Sequence, residues 1–245
     1  MSRLPVPKAV RPITYPTSDG KPMAETDIHR RLMTELIAAL QAFYTDEPLV
    51  YVSGNLLLFY EEGNTRKHLS PDVFVVPGVG NHERDNFLLW EEGRGPRFVI
   101  ELTSSSTRKE DTHKKKALYQ DVLKVREYFL FDPHGDYLKP PMMGFRLVKG
   151  IYQTINAVDG RLPSLTTGLH LERAGNELRL WNPETGTWLP TPAEHVNRAE
   201  ARADRAAERA NQAAERADQE AERASRAEAE LRQLRERFGL GDEGT

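Results

Sequence analysis

Residues 98–131 read FVIELTSSSTRKEDTHKKKALYQDVLKVREYFLF. The two ends of this stretch, Phe98–Leu102 and Glu127–Phe131, are short runs of aliphatic and aromatic residues with the length and content of buried strands. Between them, Thr107–Val122 has helical periodicity through Leu118 and Val122, with Ser or Thr at 104–107 available as N-cap and Asp111 in the first turns. Strand, helix and strand in this order predict an α/β domain built around a sheet.

Upstream lies Ser70-Pro71-Asp72-Val73-Phe74-Val75-Val76, a further strand over 73–76 preceded by an acid. Leu49–Ser53 and Leu56–Tyr60 add β-like runs, and Gly63-Asn64 breaks the chain after the second. From Glu25 to Phe43, Ile28, Leu32, Leu36 and Leu40 recur at helical spacing, with Met33 and Ile37 widening the stripe. Residues 1–22 hold five prolines and are expected to form an extended arm. Downstream, 137–192 mixes Gly, Pro and short apolar runs such as Phe145–Val148 and Glu177–Trp181, which predicts a small antiparallel meander.

The tail is a different object. Residues 196–238 contain ten Arg and ten acidic residues and almost no large apolar side chain before Leu231. Small or apolar residues recur from Ala199 through Ala203, Ala206 and Ala210 to Leu231, Leu234 and Phe238, at a mean spacing of about 3.5, the period of a coiled coil. A long Ala/Arg/Glu-rich helix over 191–245 is expected, stopped by Gly239 and Gly241, and a dimer through this helix follows from its seam. A single solvated helix held by its own ion pairs is the alternative. This tail also explains a mean hydropathy of −0.62 and an apolar content of only 38% in a chain of 245 residues.

Charge and composition narrow the function. The net charge is −3, so binding to nucleic acid needs a local basic patch rather than bulk attraction. Cysteine is absent, which excludes disulfide scaffolds, thiol nucleophiles and Cys-type zinc sites and fits a cytoplasmic setting. No apolar run has the length of a signal-peptide core or of a membrane span, so no membrane partner is expected. Seven histidines, His29, His68, His82, His113, His134, His170 and His195, show no metal-ligand spacing. Ser104, Ser105 and Ser106 lack a nucleophile elbow, and no phosphate-cradling glycine loop exists.

Two acids remain, Asp72 and Glu101, each beside an apolar strand. Brought together by neighbouring strands they would repel each other unless a cation or a shared proton offsets the charge, and hard oxygen ligands suit Mg²⁺. Lys114, Lys115 and Lys116 point about 100° apart on a regular helix, so one of them can face the sheet. Lys115 shares the face of Asp111, Leu118 and Tyr119; Lys114 is the fallback. An amine aimed at a carboxylate pair orients water or stabilises charge on a phosphoryl group.

The ordered strings Ser70–Val76, Phe98–Ser104, Lys115 with Leu118-Tyr119, and Val125-Arg126-Glu127-Tyr128-Phe129-Leu130-Phe131-Asp132-Pro133 resemble the Uma-two family of restriction-endonuclease-like proteins, within the PD-(D/E)XK nuclease superfamily. The resemblance runs from about Met23 to Trp188, and Met23-Ala24-Glu25 with His29 resembles the family's opening helix. It implies a restriction endonuclease-like mixed central sheet flanked by helices over 23–190, with Asp72 and Glu101 as Mg²⁺ (or Mn²⁺) ligands, Lys115 as the active-site lysine, Glu25 as a fourth member, and DNA as substrate. Thr103 stands where Glu-x-Lys would put a lysine on the strand, so the lysine is moved to the helix. Ser105 stands where relatives commonly have proline after the serine. A second reading keeps the nuclease-like domain as a catalytically inactive interaction module that recruits partners through its C-terminal helix.

Overall fold

Every residue of 98–102 and 127–131 is buried, because these runs form the two adjacent inner strands of a sheet covered on both faces. The computed structural model describes residues 13–18, 20 and 26–238. In chain order its elements are α1 (Asp27–Phe43), β1 (Val50–Ser53), β2 (Leu58–Phe59), β3 (His68–Leu69), β4 (Val73–Pro77), β5 (Phe87–Leu88), α2 (Leu89–Glu92) and β6 (Phe98–Leu102). A π-helical turn, Glu110–Lys115, then leads into α3 (Lys116–Asp121) and β7 (Glu127–Phe131). The remaining strands are β8 (Met142–Val148), β9 (Ile151–Thr154), β10 (Arg161–Pro163), β11 (His170–Ala174), β12 (Glu177–Asn182) and β13 (Thr187–Trp188), before α4 (Pro192–Arg237).

The central sheet has six strands in the order β1-β4-β6-β7-β8-β9. β6 and β7 are parallel and the other neighbours antiparallel, so the sheet is mixed, as expected. Helix α1 covers one face through Leu32, Met33, Leu36 and Leu40, together with Leu162, Leu171, Leu178 and Leu180 of the four-stranded sheet β10-β11-β12-β13. The other face packs against Tyr119 of α3 and against the three-stranded sheet β3-β2-β5. Thr26 caps α1 by accepting the His29 N–H at 3.3 Å, and Asp27 places a negative charge in the first turn.

Three expectations need correction. The region 137–192 is not one meander: β8 and β9 complete the central sheet, and only the strands from Arg161 onward form the separate antiparallel sheet. The helix expected over 107–122 is π-helical over Glu110–Lys115 rather than regular. Its widened turn leaves the Asp111 carbonyl to accept the buried Tyr128 hydroxyl at 2.9 Å. Part of the N-terminal arm is packed: the Tyr15 ring lies 5.0 Å from Phe59 and 5.1 Å from Trp90, and its hydroxyl accepts the Gly63 N–H at 2.7 Å.

The chain divides into two units, Met1–Pro192 and Ala193–Thr245. In the second, none of the residues of α4 is buried, and Arg226 reaches Glu222 one turn earlier at 3.3 Å. Pro192 starts this helix at a position where its missing N–H costs nothing. Gly239 and Gly241 lie outside the described residues. Among the described residues, no helix is long and apolar enough to cross a membrane.

Candidate active site

The antiparallel pairing of β4 with β6 sets Val73 opposite Ile100. Continued by one residue, this register sets Asp72 opposite Glu101, so two acids 29 positions apart in sequence become cross-strand neighbours. Asp72 is fixed from both sides: its Oδ2 accepts the Leu102 N–H at 2.7 Å, and His29 Nε2 from α1 lies 3.3 Å from Oδ1. Gly54 lets this arrangement close, since a Cβ there would overlap the Asp72 carbonyl oxygen.

Glu101 is only 1% exposed and both its oxygens are engaged. Lys115 Nζ donates to Oε2 at 2.8 Å and the Tyr119 hydroxyl to Oε1 at 2.6 Å. Lys115 also lies 3.4 Å from Oδ1 of Asp111, whose buried carboxylate oxygens meet no hydrogen-bond donor at normal geometry. The structure thus turns Lys115 to the sheet, whereas Lys114 is 80% exposed and pairs with Glu110 at 3.2 Å. Lys116 lies with its Nζ 3.6 Å from the centre of the Phe145 ring.

The electrostatics follow from burial and sharing. Burial pushes Asp72 up, but the His29 contact, the Lys115 charge and the Leu102 N–H outweigh it and hold Asp72 below its ordinary range. Glu101 goes the other way: burial, with the Asp72 and Asp111 charges added, lifts it well above the carboxylate range against the pull of Lys115. Asp111 is raised as well, first by burial. Lys115 loses to burial but gains more from Glu101, Asp72 and Asp111, and its pKa is raised, so the ammonium stays charged. Counted fully ionised, three largely buried carboxyl groups face the Lys115 ammonium and the His29 ring, which leaves surplus negative charge even with His29 protonated.

That surplus is the observation that bears on a metal. Among the described residues, no group of three or more His, Asp or Glu side chains converges closely enough to hold an ion alone. The donor chemistry nevertheless fits a hard divalent cation that keeps several waters: two carboxylates on adjacent strands, with charge to neutralise. Asp72 and Glu101 are the residues that would hold it. Thr103, at the position of the missing strand lysine, is 2% exposed and its hydroxyl has no partner. Ser104 and Thr107 cap the following helix reciprocally, the Ser104 N–H donating to Thr107 Oγ1 at 3.1 Å and the Thr107 N–H to Ser104 Oγ at 3.3 Å.

Glu25 lies outside the described residues. Three contacts were not assigned from sequence: His29 on Asp72, Tyr119 on Glu101, and Asp111 on Lys115. Asp111, Lys115 and Tyr119 stand four residues apart, and that spacing was the available signal for the last two. A cleft of about 650 Å³ opens beside Lys115, lined by Arg66, Lys67, His68, Ser70 and Lys114 among others. Arg66 and Lys67, from the turn between β2 and β3, bring two basic side chains beside Lys114 and Lys115.

This mixed sheet with helices on both faces defines an α/β protein of the restriction-endonuclease-like kind. The chain belongs to the Uma2 family, described as "Putative restriction endonuclease", whose model matches residues 10–193. Among solved structures it is similar to a "putative nuclease belonging to DUF820" from Anabaena variabilis, at 16% identity over 62% of this chain and 80% of that one, with a TM-score of 0.45. No curated protein matches the chain.

Proposed function

We propose that this chain is a divalent-metal-dependent endonuclease that hydrolyses DNA phosphodiester bonds, with Asp72 and Glu101 as the metal-holding pair and Lys115 as the assisting cation. The reading rests on the meeting of Glu101 with Lys115 at 2.8 Å beside Asp72, in a chain of a restriction-endonuclease family. When bound, Mg²⁺, or Mn²⁺ in its place, supplies Lewis-acid polarisation of water and of a phosphoryl oxygen. The protein's own groups do the rest. His29 and the Leu102 N–H fix the orientation of Asp72, and the Tyr119 hydroxyl fixes that of Glu101. Lys115, kept charged by Glu101 and Asp111, is positioned to stabilise charge developing on a phosphoryl oxygen. Arg66, Lys67 and Lys114 give the adjacent cleft the positive charge that a phosphate backbone requires.

The test is incubation of the purified chain with supercoiled plasmid. Nicking in Mg²⁺ that stops with EDTA is the expected outcome; an intact plasmid across Mg²⁺ and Mn²⁺ contradicts the proposal and favours a non-catalytic module. The cleft leads to a salt-dependent association, whose slope counts the phosphates contacted.

For the second unit, we propose that α4 pairs with a second copy through its alanine seam. A 46-residue helix with no buried residue gains little from its own burial, and self-association supplies what it lacks. Deleting residues 197–245 is then expected to lower the molar mass per particle in light scattering to that of a monomer. An unchanged oligomeric state identifies α4 as a lone helix.

A further inference from the structure

At the end of the central sheet remote from Glu101, where β4 finishes and β6 and β7 begin, Arg94, Arg97 and Arg126 line one cleft of about 570 Å³. Glu101 follows Arg97 by four residues along an extended strand, a separation of roughly 13 Å, so this cleft is not the site of Asp72 and Lys115. Among the described residues none of the three guanidiniums has a carboxylate within ion-pair distance. Three like charges in one concavity repel each other, and although solvent screens these exposed groups, no carboxylate offsets the repulsion.

The acid adjacent in sequence is already engaged. Glu127, next to Arg126 in sequence, is fully buried and accepts from Arg146, from the Ser164 hydroxyl and from the N–H groups of Leu165 and Thr166. Two further features bear on a ligand there. Thr166 contributes to its lining, and its buried Oγ1 has no hydrogen-bond partner. Arg94 is exposed, but its guanidinium lies against Gly78, whose φ of +82° and missing Cβ admit it, since a Cβ there would meet the guanidinium carbon at 3.1 Å.

We propose that the Arg94, Arg97 and Arg126 cleft is a second anion site that binds a phosphate group, with the arginines as fork-shaped donors and the Thr166 hydroxyl as a neutral one. The site stands independently of nuclease activity. The phosphate comes either from a free phosphate compound or from a nucleic-acid backbone passing the far end of the sheet, and the experiment separates the two.

The full chain is titrated with inorganic phosphate by calorimetry, at constant ionic strength, without metal. Wild type and Glu101→Gln are both expected to bind, while Arg97→Gln and Arg126→Gln each weaken binding about tenfold, the loss expected for one charge-assisted contact. Both arginines are exposed, and circular dichroism verifies the fold of each variant. A labelled duplex, titrated in EDTA, then identifies the source. If the same two substitutions weaken duplex binding and flatten its salt dependence, the backbone supplies the phosphate; if they leave it unchanged, a free phosphate compound is the ligand. No phosphate binding by wild type, or equal binding by wild type and both variants, overturns the proposal.

Discussion

Replacing Lys115 by alanine or methionine is expected to lower plasmid nicking by about 10³-fold or more, the scale on which losing one preorganised transition-state donor acts. The ammonium sits 2.8 Å from Glu101 and 3.4 Å from Asp111, and among the described residues no other lysine or arginine pairs with either acid. Lys114, exposed and paired with Glu110, makes the contrast: Lys114→Ala removes one charge of the cleft, so it should weaken plasmid binding while nicking at saturating plasmid stays within a few-fold of wild type. Methionine keeps the volume of the lysine stem, which separates lost charge from lost packing. Both Lys115 variants should keep the native circular dichroism spectrum, because Glu101 and Asp111 already lie above the ordinary carboxylate range and take up protons when the cation goes. Full activity in a folded Lys115→Met chain would remove lysine from the chemistry.

The second large effect is on stability. Glu127 is fully buried in β7 and receives four donors: Arg146 Nε at 2.8 Å, Ser164 Oγ at 2.6 Å, and the N–H groups of Leu165 and Thr166, both at 2.9 Å. Through them one carboxylate ties the central sheet to the turn that follows β10. Glu127→Ala leaves the Ser164 hydroxyl and the Leu165 and Thr166 N–H groups without this acceptor and the partly exposed Arg146 with the Pro163 carbonyl, and the expected cost is about 2–4 kcal/mol, a large part of the roughly 5–15 kcal/mol that holds a domain together.

The pH dependence carries the same signature. Burial raises Glu127, but the Ser164 hydroxyl, the two N–H groups and Arg146 outweigh it and depress its pKa in the folded chain. A group whose folded pKa is depressed contributes stability that is complete above its unfolded value, about 4.3, and disappears as pH falls through the folded value. Urea midpoints of wild type and Glu127→Ala should therefore differ most near neutral pH and converge in acid. A gap that stays constant from pH 7 to pH 3 would show that shape, not charge, is what the side chain contributes.

What the sequence disclosed about this fold depended on burial. Phe98–Leu102 and Glu127–Phe131 are buried along their whole length, so their apolar runs are continuous and their ends match the structure. The first helix was equally legible, because one face of it, from Leu32 to Leu40, is covered. The two-residue strands β2, β3 and β5 carry too little pattern to be bounded. β8 is mostly of intermediate burial and β9 mostly exposed, and nothing local in Met142–Thr154 says which sheet they join.

The site divides along the same line. Lys115 could be read from its phase relative to Leu118 and Tyr119, and the π-helical turn shifted the phase without turning the amine away. Asp72 and Glu101 were legible as acids beside strands, but their register depends on the pairing of β4 with β6. The contact of His29 with Asp72 joins residues 43 positions apart through the packing of α1 on the sheet, and no local spacing announces it. Three of the four donors on Glu127 come from a turn nearly 40 residues away, so this buried charge looked like an ordinary strand residue.

The central claim is that Asp72 and Glu101 share a divalent cation next to the Lys115 ammonium. Anomalous diffraction from crystals grown with Mn²⁺, recorded for wild type and for Glu101→Gln, tests it directly. The expected map has one manganese peak between the two carboxylates in wild type and a lost or much weakened peak in the variant. A wild-type map with no peak there at millimolar Mn²⁺, or with a peak that the variant keeps at full height, contradicts it.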